Sequence, residues 1–176
     1  MSNPRITIAS LNEARRLLSL PDAENFTSII SISDGGELNE PLAVRRAVYA
    51  EKLIMFFDDL CQYTHGYHAP VAEDIAKIIG FAKVIQGTPG ECLIHCMAGV
   101  SRSAAAAIIV RATWYLQERD TQSDPAVLEA AVAEILSEFP NSYPNLLMVR
   151  LADEALKLDG DLVKITKRFM PAPWHP

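Results

Sequence analysis

A chain of 176 residues suits one domain and is too short for two of ordinary size. Hydrophobic residues make up 49% and charged residues 22%, which excludes a disordered, collagen-like or disulfide-framework chain. Sixteen Lys and Arg against 22 Asp and Glu leave a formal charge of −6, a poor match to nucleic acid or an anionic membrane.

Ile6 and Ile8 flank Thr7 in a short alternating run that predicts a strand. Ser10, with Glu13 three residues on, has the pattern of a capping box, so a helix is expected from Leu11 to about Leu20, stopped by Pro21. Phe26 to Ser33 is rich in isoleucine and ends in Asp34-Gly35-Gly36, a buried strand followed by a turn. Leu53 to Phe57 predicts a second buried strand, ending at Asp58-Asp59, and Gln62 to Pro70 reads as loop. Pro70 opens a helix with Val71, Ile75, Ile78, Ile79 and Ala82 on one face, stopping near Gly87. Cys92, Leu93 and Ile94 predict a short apolar strand, and Arg102 to Glu118 a buried helix. Asp124-Pro125 caps a helix to about Phe139, and Pro144-Asn145 opens another to about Leu158, ended by Gly160. The tail from about 169 holds three prolines and is expected to be extended. Strands interleaved with helices predict an α/β fold, a small and mainly parallel sheet covered on both faces, in a single domain over 1–176.

Cys61, Cys92 and Cys96 show no paired spacing, which predicts free thiols in a reducing, cytoplasmic compartment. No apolar run reaches the roughly 18 residues of a membrane span, and Met1 to Ser10 does not read as a signal peptide.

His95-Cys96-Met97-Ala98-Gly99-Val100-Ser101-Arg102-Ser103 lies between a buried strand and a long buried helix. Ligands of open α/β sheets bind beyond the carboxyl ends of the strands. A short loop entering a helix there aims backbone N–H groups at one spot and makes a nest for a tetrahedral oxyanion. Gly99 permits the backbone angles such a loop needs, and Arg102 closes the ring with a bidentate fork. Cys96, at the base of the ring, is favoured as a thiolate and aimed at a cradled phosphorus, a nucleophile for phosphoryl transfer. The Ser103 hydroxyl is expected to stabilise that thiolate when it leaves, and His95 to orient the loop by hydrogen bonding. A Walker-type loop is excluded by the lack of Gly-Lys-Ser/Thr, and a zinc site by the lack of a second Cys/His pair.

This segment resembles the signature of the protein tyrosine phosphatase superfamily: His-Cys, five residues, Arg, then Ser or Thr. Every fixed position matches, and Ala98-Gly99 with Ser101 resembles the dual-specificity branch. A looser likeness extends from about Phe26 to Leu158, and the short, unadorned chain would suit a bacterial member. The resemblance implies a phosphoric monoester hydrolase working through a phosphocysteine, with no metal or organic cofactor. Its substrate would be a phosphorylated protein or a small phosphate ester, held by loop residues 97–102 and handled by a monomer. It also implies an acid-loop Asp upstream, after a strand, that protonates the leaving group and later activates water. Asp58 and Asp59 both fit; Asp59 is preferred because it lies further past the strand, where the loop can swing over the pocket. Asp34, after the earlier strand, is an outside candidate for the acid and otherwise a turn residue.

Ser142-Tyr143-Pro144-Asn145 resembles the family's Pro-Asn pair opening the helix behind the signature loop. Asn145 is expected either to hydrogen-bond that loop or only to cap the helix. His65 and His68 read as loop residues, Cys61 and Cys92 as core thiols, and Arg150 with Asp153 as a surface pair. Lys164, Lys167 and Arg168 form a solvated basic cluster. Met97, Ala98 and Val100 are uncharged, where relatives acting on inositol phosphates often carry Lys; a polyanionic substrate is therefore disfavoured. The alternative functional class is a pseudophosphatase, a phosphate-binding or docking module. A thiol redox enzyme is disfavoured by the lack of Cys-x-x-Cys.

Overall fold

A computed structural model describes residues 3–35, 41–119 and 124–171. Gly36 of the expected turn, and 172–176 of the expected tail, lie outside the described residues. Among the described residues, β1 (Arg5–Ser10), β2 (Phe26–Ser33), β3 (Glu51–Phe56) and β4 (Glu91–Cys96) form one sheet in the order β1-β4-β2-β3. Every pairing is parallel, with Ser10 opposite Cys96 and Ser31 opposite His95. The α/β class and the parallel sheet are as the sequence predicts.

Side chains alternate across β4. Cys92, Ile94 and Cys96 enter the main core beneath α3 (Ala72–Ile85) and α4 (Arg102–Glu118). Leu93 faces a smaller cluster with Ala14 of α1 (Leu11–Leu17) and Val44 of α2 (Leu42–Arg46). Both faces are thus covered, which is why β4 reads as an apolar run rather than an alternation. The β1–β2 and β2–β3 connections carry α1 and α2 on one face, while α3 and α4 follow β3 and β4 on the other. The carboxyl end of β4 therefore opens where the connections diverge, the place at which α/β sheets bind ligands.

Ser10 caps α1, its Oγ accepting from Glu13 N at 3.2 Å, but the Glu13 carboxylate turns to Arg16 instead of completing the box. The helix ends at Leu17, and tighter i→i+3 bonds carry the chain through Leu20. Pro70 is not the first helical residue of α3; Asp74 reaches back to Val71 N at 3.2 Å, and Val71 is exposed at the helix edge rather than core. Residues 104–110 of α4 are fully buried, as its alanines let neighbouring elements approach on every side. Asp124 caps α5 (Pro125–Glu138) by accepting from Ala126 N at 2.9 Å.

α6 (Leu146–Leu156) ends in a left-handed Lys157, and α7 (Asp161–Phe169) follows where no helix was expected. The unpaired N–H groups at its start explain Asp153. That side chain is 4% exposed and accepts from Gly160 N at 2.7 Å, Leu162 N at 2.8 Å and Val163 N at 3.3 Å. It is a buried structural carboxylate, not half of a surface pair with Arg150. The basic cluster is divided by pairing: Lys164 meets Asp161 at 3.1 Å, and Arg168 meets Glu129 at 2.6 Å. No described helix is long and apolar enough to cross a membrane.

Candidate active site

Cys96 is the last residue of β4 and Arg102 the first of α4, so residues 97–101 make the whole turn between them. Gly99 has φ +74, and a Cβ on it would lie 2.5 Å from Ser10 N and 2.6 Å from Ala9 C. Only glycine satisfies both the left-handed conformation and the contact with β1. Its N–H points to Cys96 Sγ at 3.3 Å, and the Ser103 hydroxyl lies 3.3 Å from the same sulfur. The thiol is 1% exposed and sits against the N-terminus of a 17-residue helix. The sulfur thus faces the Gly99 N–H, the Ser103 hydroxyl and the start of α4. Met97, Ala98 and Val100 stay exposed around the turn.

Arg102 is 3% exposed and held from behind. Its Nη1 donates to Phe57 O at 2.7 Å and Ser33 O at 3.3 Å, and Nη2 to Asp34 Oδ1 at 2.8 Å. Three bonds leave the Nε–H and the second Nη2 donor of the fork for an oxyanion. Nε is buried with no partner among the described residues. Asp34 thus braces the guanidinium, and the ends of β2 and β3 supply the carbonyls.

The two aspartates after β3 are placed differently. Asp58 is consumed by the backbone: Oδ2 accepts from His68 N at 2.8 Å and Oδ1 from Gly35 N at 3.0 Å. The His68 N–H, then that of Gly35, hold its carboxyl below the usual carboxylate range against the opposing effect of burial. Asp59 is exposed and turned to the signature loop; its Oδ1 accepts from Ser101 Oγ at 2.7 Å and Asn145 Nδ2 at 2.7 Å. Asn145 also caps α6, accepting from Leu147 N and Met148 N at 3.0 Å each. Its backbone N–H reaches Ser101 O at 3.3 Å, beside Tyr143 N to Val100 O at 2.9 Å. Asn145 therefore caps α6, meets the loop before α4 only through its backbone N–H, and sends its amide nitrogen to the segment after β3.

His95 is corrected. Its ring is 1% exposed and neither nitrogen has a hydrogen-bond partner among the described residues, so it does not orient the loop by that means. It lies on the face of β4 opposite Cys96, and burial pushes it down to about 4. Cys61 is exposed, not a core thiol, whereas Cys92 is buried and pushed up to about 12 by burial. His65 and His68 are exposed in the loop after β3, and the described residues contain no group of His, Cys, Asp and Glu able to hold a metal. The brace on Arg102, two main-chain carbonyls with Asp34, was not foreseen; backbone acceptors leave no trace in residue type.

No family model and no curated protein sequence matches this chain. Solved structures do. A crystal structure of DUSP15 aligns with TM-score 0.60 at 19% identity, covering 96% of this chain and 92% of that one. Human DUSP28 aligns with TM-score 0.58 at 17% identity, covering 88% and 92%. PTPMT1 in complex with PI(5)P aligns with TM-score 0.54 at 20% identity, covering 93% and 94%. The fold is that of the dual-specificity branch of the protein tyrosine phosphatases.

Proposed function

We propose that the protein is a cysteine-dependent phosphatase of the dual-specificity kind, hydrolysing a phosphate monoester through a phosphocysteine. The observation that carries this reading is the sulfur of Cys96 facing the Gly99 N–H and the Ser103 hydroxyl at 3.3 Å each, one turn from the free edge of Arg102. Arg102 and the loop amides of 97–101 hold the non-bridging oxygens, and the Cys96 thiolate attacks phosphorus. The P–S bond forms as the bond to the ester oxygen breaks, and Asp59 gives that oxygen its proton. Water then attacks phosphorus, Asp59 takes its proton, and the P–S bond breaks. Ser103 donates to the returning thiolate. Asp58 holds the acid loop to β2 through Gly35, and Asn145 ties that loop to α6.

The substrate class is a phosphorylated protein or small phosphate ester, and the uncharged Met97, Ala98 and Val100 argue against a polyanion. The reading includes action as a monomer in the cytoplasm, in keeping with three free cysteines. Assaying the purified protein and Cys96→Ser against phosphotyrosyl, phosphoseryl and inositol phosphates tests it. Turnover of the phosphopeptides, lost in the variant, is expected. Oxyanion binding without turnover would instead mark a phosphate-binding module.

A further inference from the structure

We infer that Ser101 and Asn145 are positioning residues that hold Asp59 in its working pose and decide which of its oxygens carries the proton. The inference rests on the phosphatase reading above. Both side chains donate to one oxygen, Asp59 Oδ1, each at 2.7 Å. A carboxyl oxygen taking two donors has both lone pairs engaged, so the proton to be transferred sits on Oδ2.

Two features show that neither contact is incidental to a helix cap. Ser101 occupies the N-cap of α4, where a serine oxygen ordinarily accepts from the first-turn N–H groups. It makes no such bond and spends its hydroxyl on Asp59. Asn145 does cap α6, and that cap fixes its amide: with Oδ1 on Leu147 N and Met148 N, Nδ2 must face Asp59 and Leu60 O. The two donors are joined by Asn145 N to Ser101 O. The acid is thereby keyed to the loop between Cys96 and Arg102. As the proton leaves Oδ2, negative charge builds on the carboxylate, and both bonds strengthen with their acceptor. That gain belongs to the transition state more than to the bound substrate.

The test measures kcat/KM for Ser101→Ala and Asn145→Ser on an activated aryl phosphate and on an alkyl phosphate, alone and combined with Asp59→Asn. Asn145→Ser keeps an N-cap acceptor for α6 and removes the amide donor without setting a second carboxylate beside Asp59. Each single variant should lose about tenfold on the alkyl ester and little on the aryl ester. Ser101→Thr, which keeps the hydroxyl, should hold the parent ratio. In the Asp59→Asn background neither substitution should cost anything more. Equal losses on both esters, or undiminished losses in the Asp59→Asn background, would overturn the inference while leaving the phosphatase reading intact. If Asp59→Asn itself shows no leaving-group dependence, the acid assignment fails and the positioning role falls with it.

Discussion

Replacing Gly99 by alanine puts a Cβ 2.5 Å from Ser10 N, 2.6 Å from Ala9 C and 2.8 Å from Ala9 O, all backbone atoms of the β1 end. None can move aside like the tip of a flexible side chain. The left-handed conformation alone costs an alanine about 1–2 kcal/mol. Forcing atoms into packed surroundings adds about 1–3 kcal/mol, so the sum is about 2–5 kcal/mol. For a domain of this size that lowers Tm by roughly 4–20 °C. Gly66→Ala is the control: φ is +83 there, but nothing lies within 4 Å of the added Cβ. It should cost only the conformational part, about 1–2 kcal/mol. Urea and thermal unfolding of both variants give the comparison, with aryl phosphate turnover measured alongside. Gly99→Ala should lose more stability than Gly66→Ala and also displace the N–H that meets Cys96 Sγ, so its kcat should fall. Equal destabilisation of the two variants, with turnover unchanged, would refute the reasoning.

Arg102→Lys should lower kcat/KM by at least about 100-fold, because a point charge replaces neither the fork nor its three braced contacts; near-normal kinetics would remove Arg102 from the transition state. His95 titrates at about 4 in the folded chain and near 6.5 unfolded, so its stabilisation is full above about pH 6.5 and is lost as pH falls toward 4. The loss amounts to about 3 kcal/mol. His95→Gln should flatten the stability profile in that window, and an unchanged slope in urea titrations would contradict the burial argument. Asp58 is depressed in the fold, so its contribution is present above about pH 3.9 and lost as pH falls through its lower folded value. Asp58→Asn should lower Tm at neutral pH and make the acid limb shallower; an acid limb identical to the parent's would show that the clamp on His68 and Gly35 carries no stability.

What could be read from residue type is what residue type controls. The isoleucine run of Phe26–Ser33 and the alanine-rich Arg102–Glu118 are found at the bounds their patterning predicts, since β-branched isoleucine fits a covered strand and a run of alanines fits a helix packed on every side. Helix ends were less legible: α1 stops three residues short of Leu20 because its last turn tightens, and α7 was missed because its start is capped by Asp153 from the preceding helix. The same holds at the site. Cys96, Gly99, Arg102 and Ser103 stand together in the sequence and in space. The partners that brace them come from distant carbonyls and turns, such as Phe57 O and Ser33 O. Asp58 and Asp59 are adjacent and identical in type; only the direction each takes out of β3 separates the clamped carboxylate from the one on Ser101.

The central claim is a covalent phosphocysteine on Cys96, and trapping it is the most direct test. Rapid acid quench of the protein during turnover of an aryl phosphate, followed by peptide mass spectrometry, reads the modified residue. The expected result is a single phosphoryl group on the peptide containing Cys96, most abundant in Asp59→Asn, where hydrolysis of the intermediate lacks its base. Turnover with no phosphorylated intermediate, or with the phosphoryl group on another residue, would contradict the account.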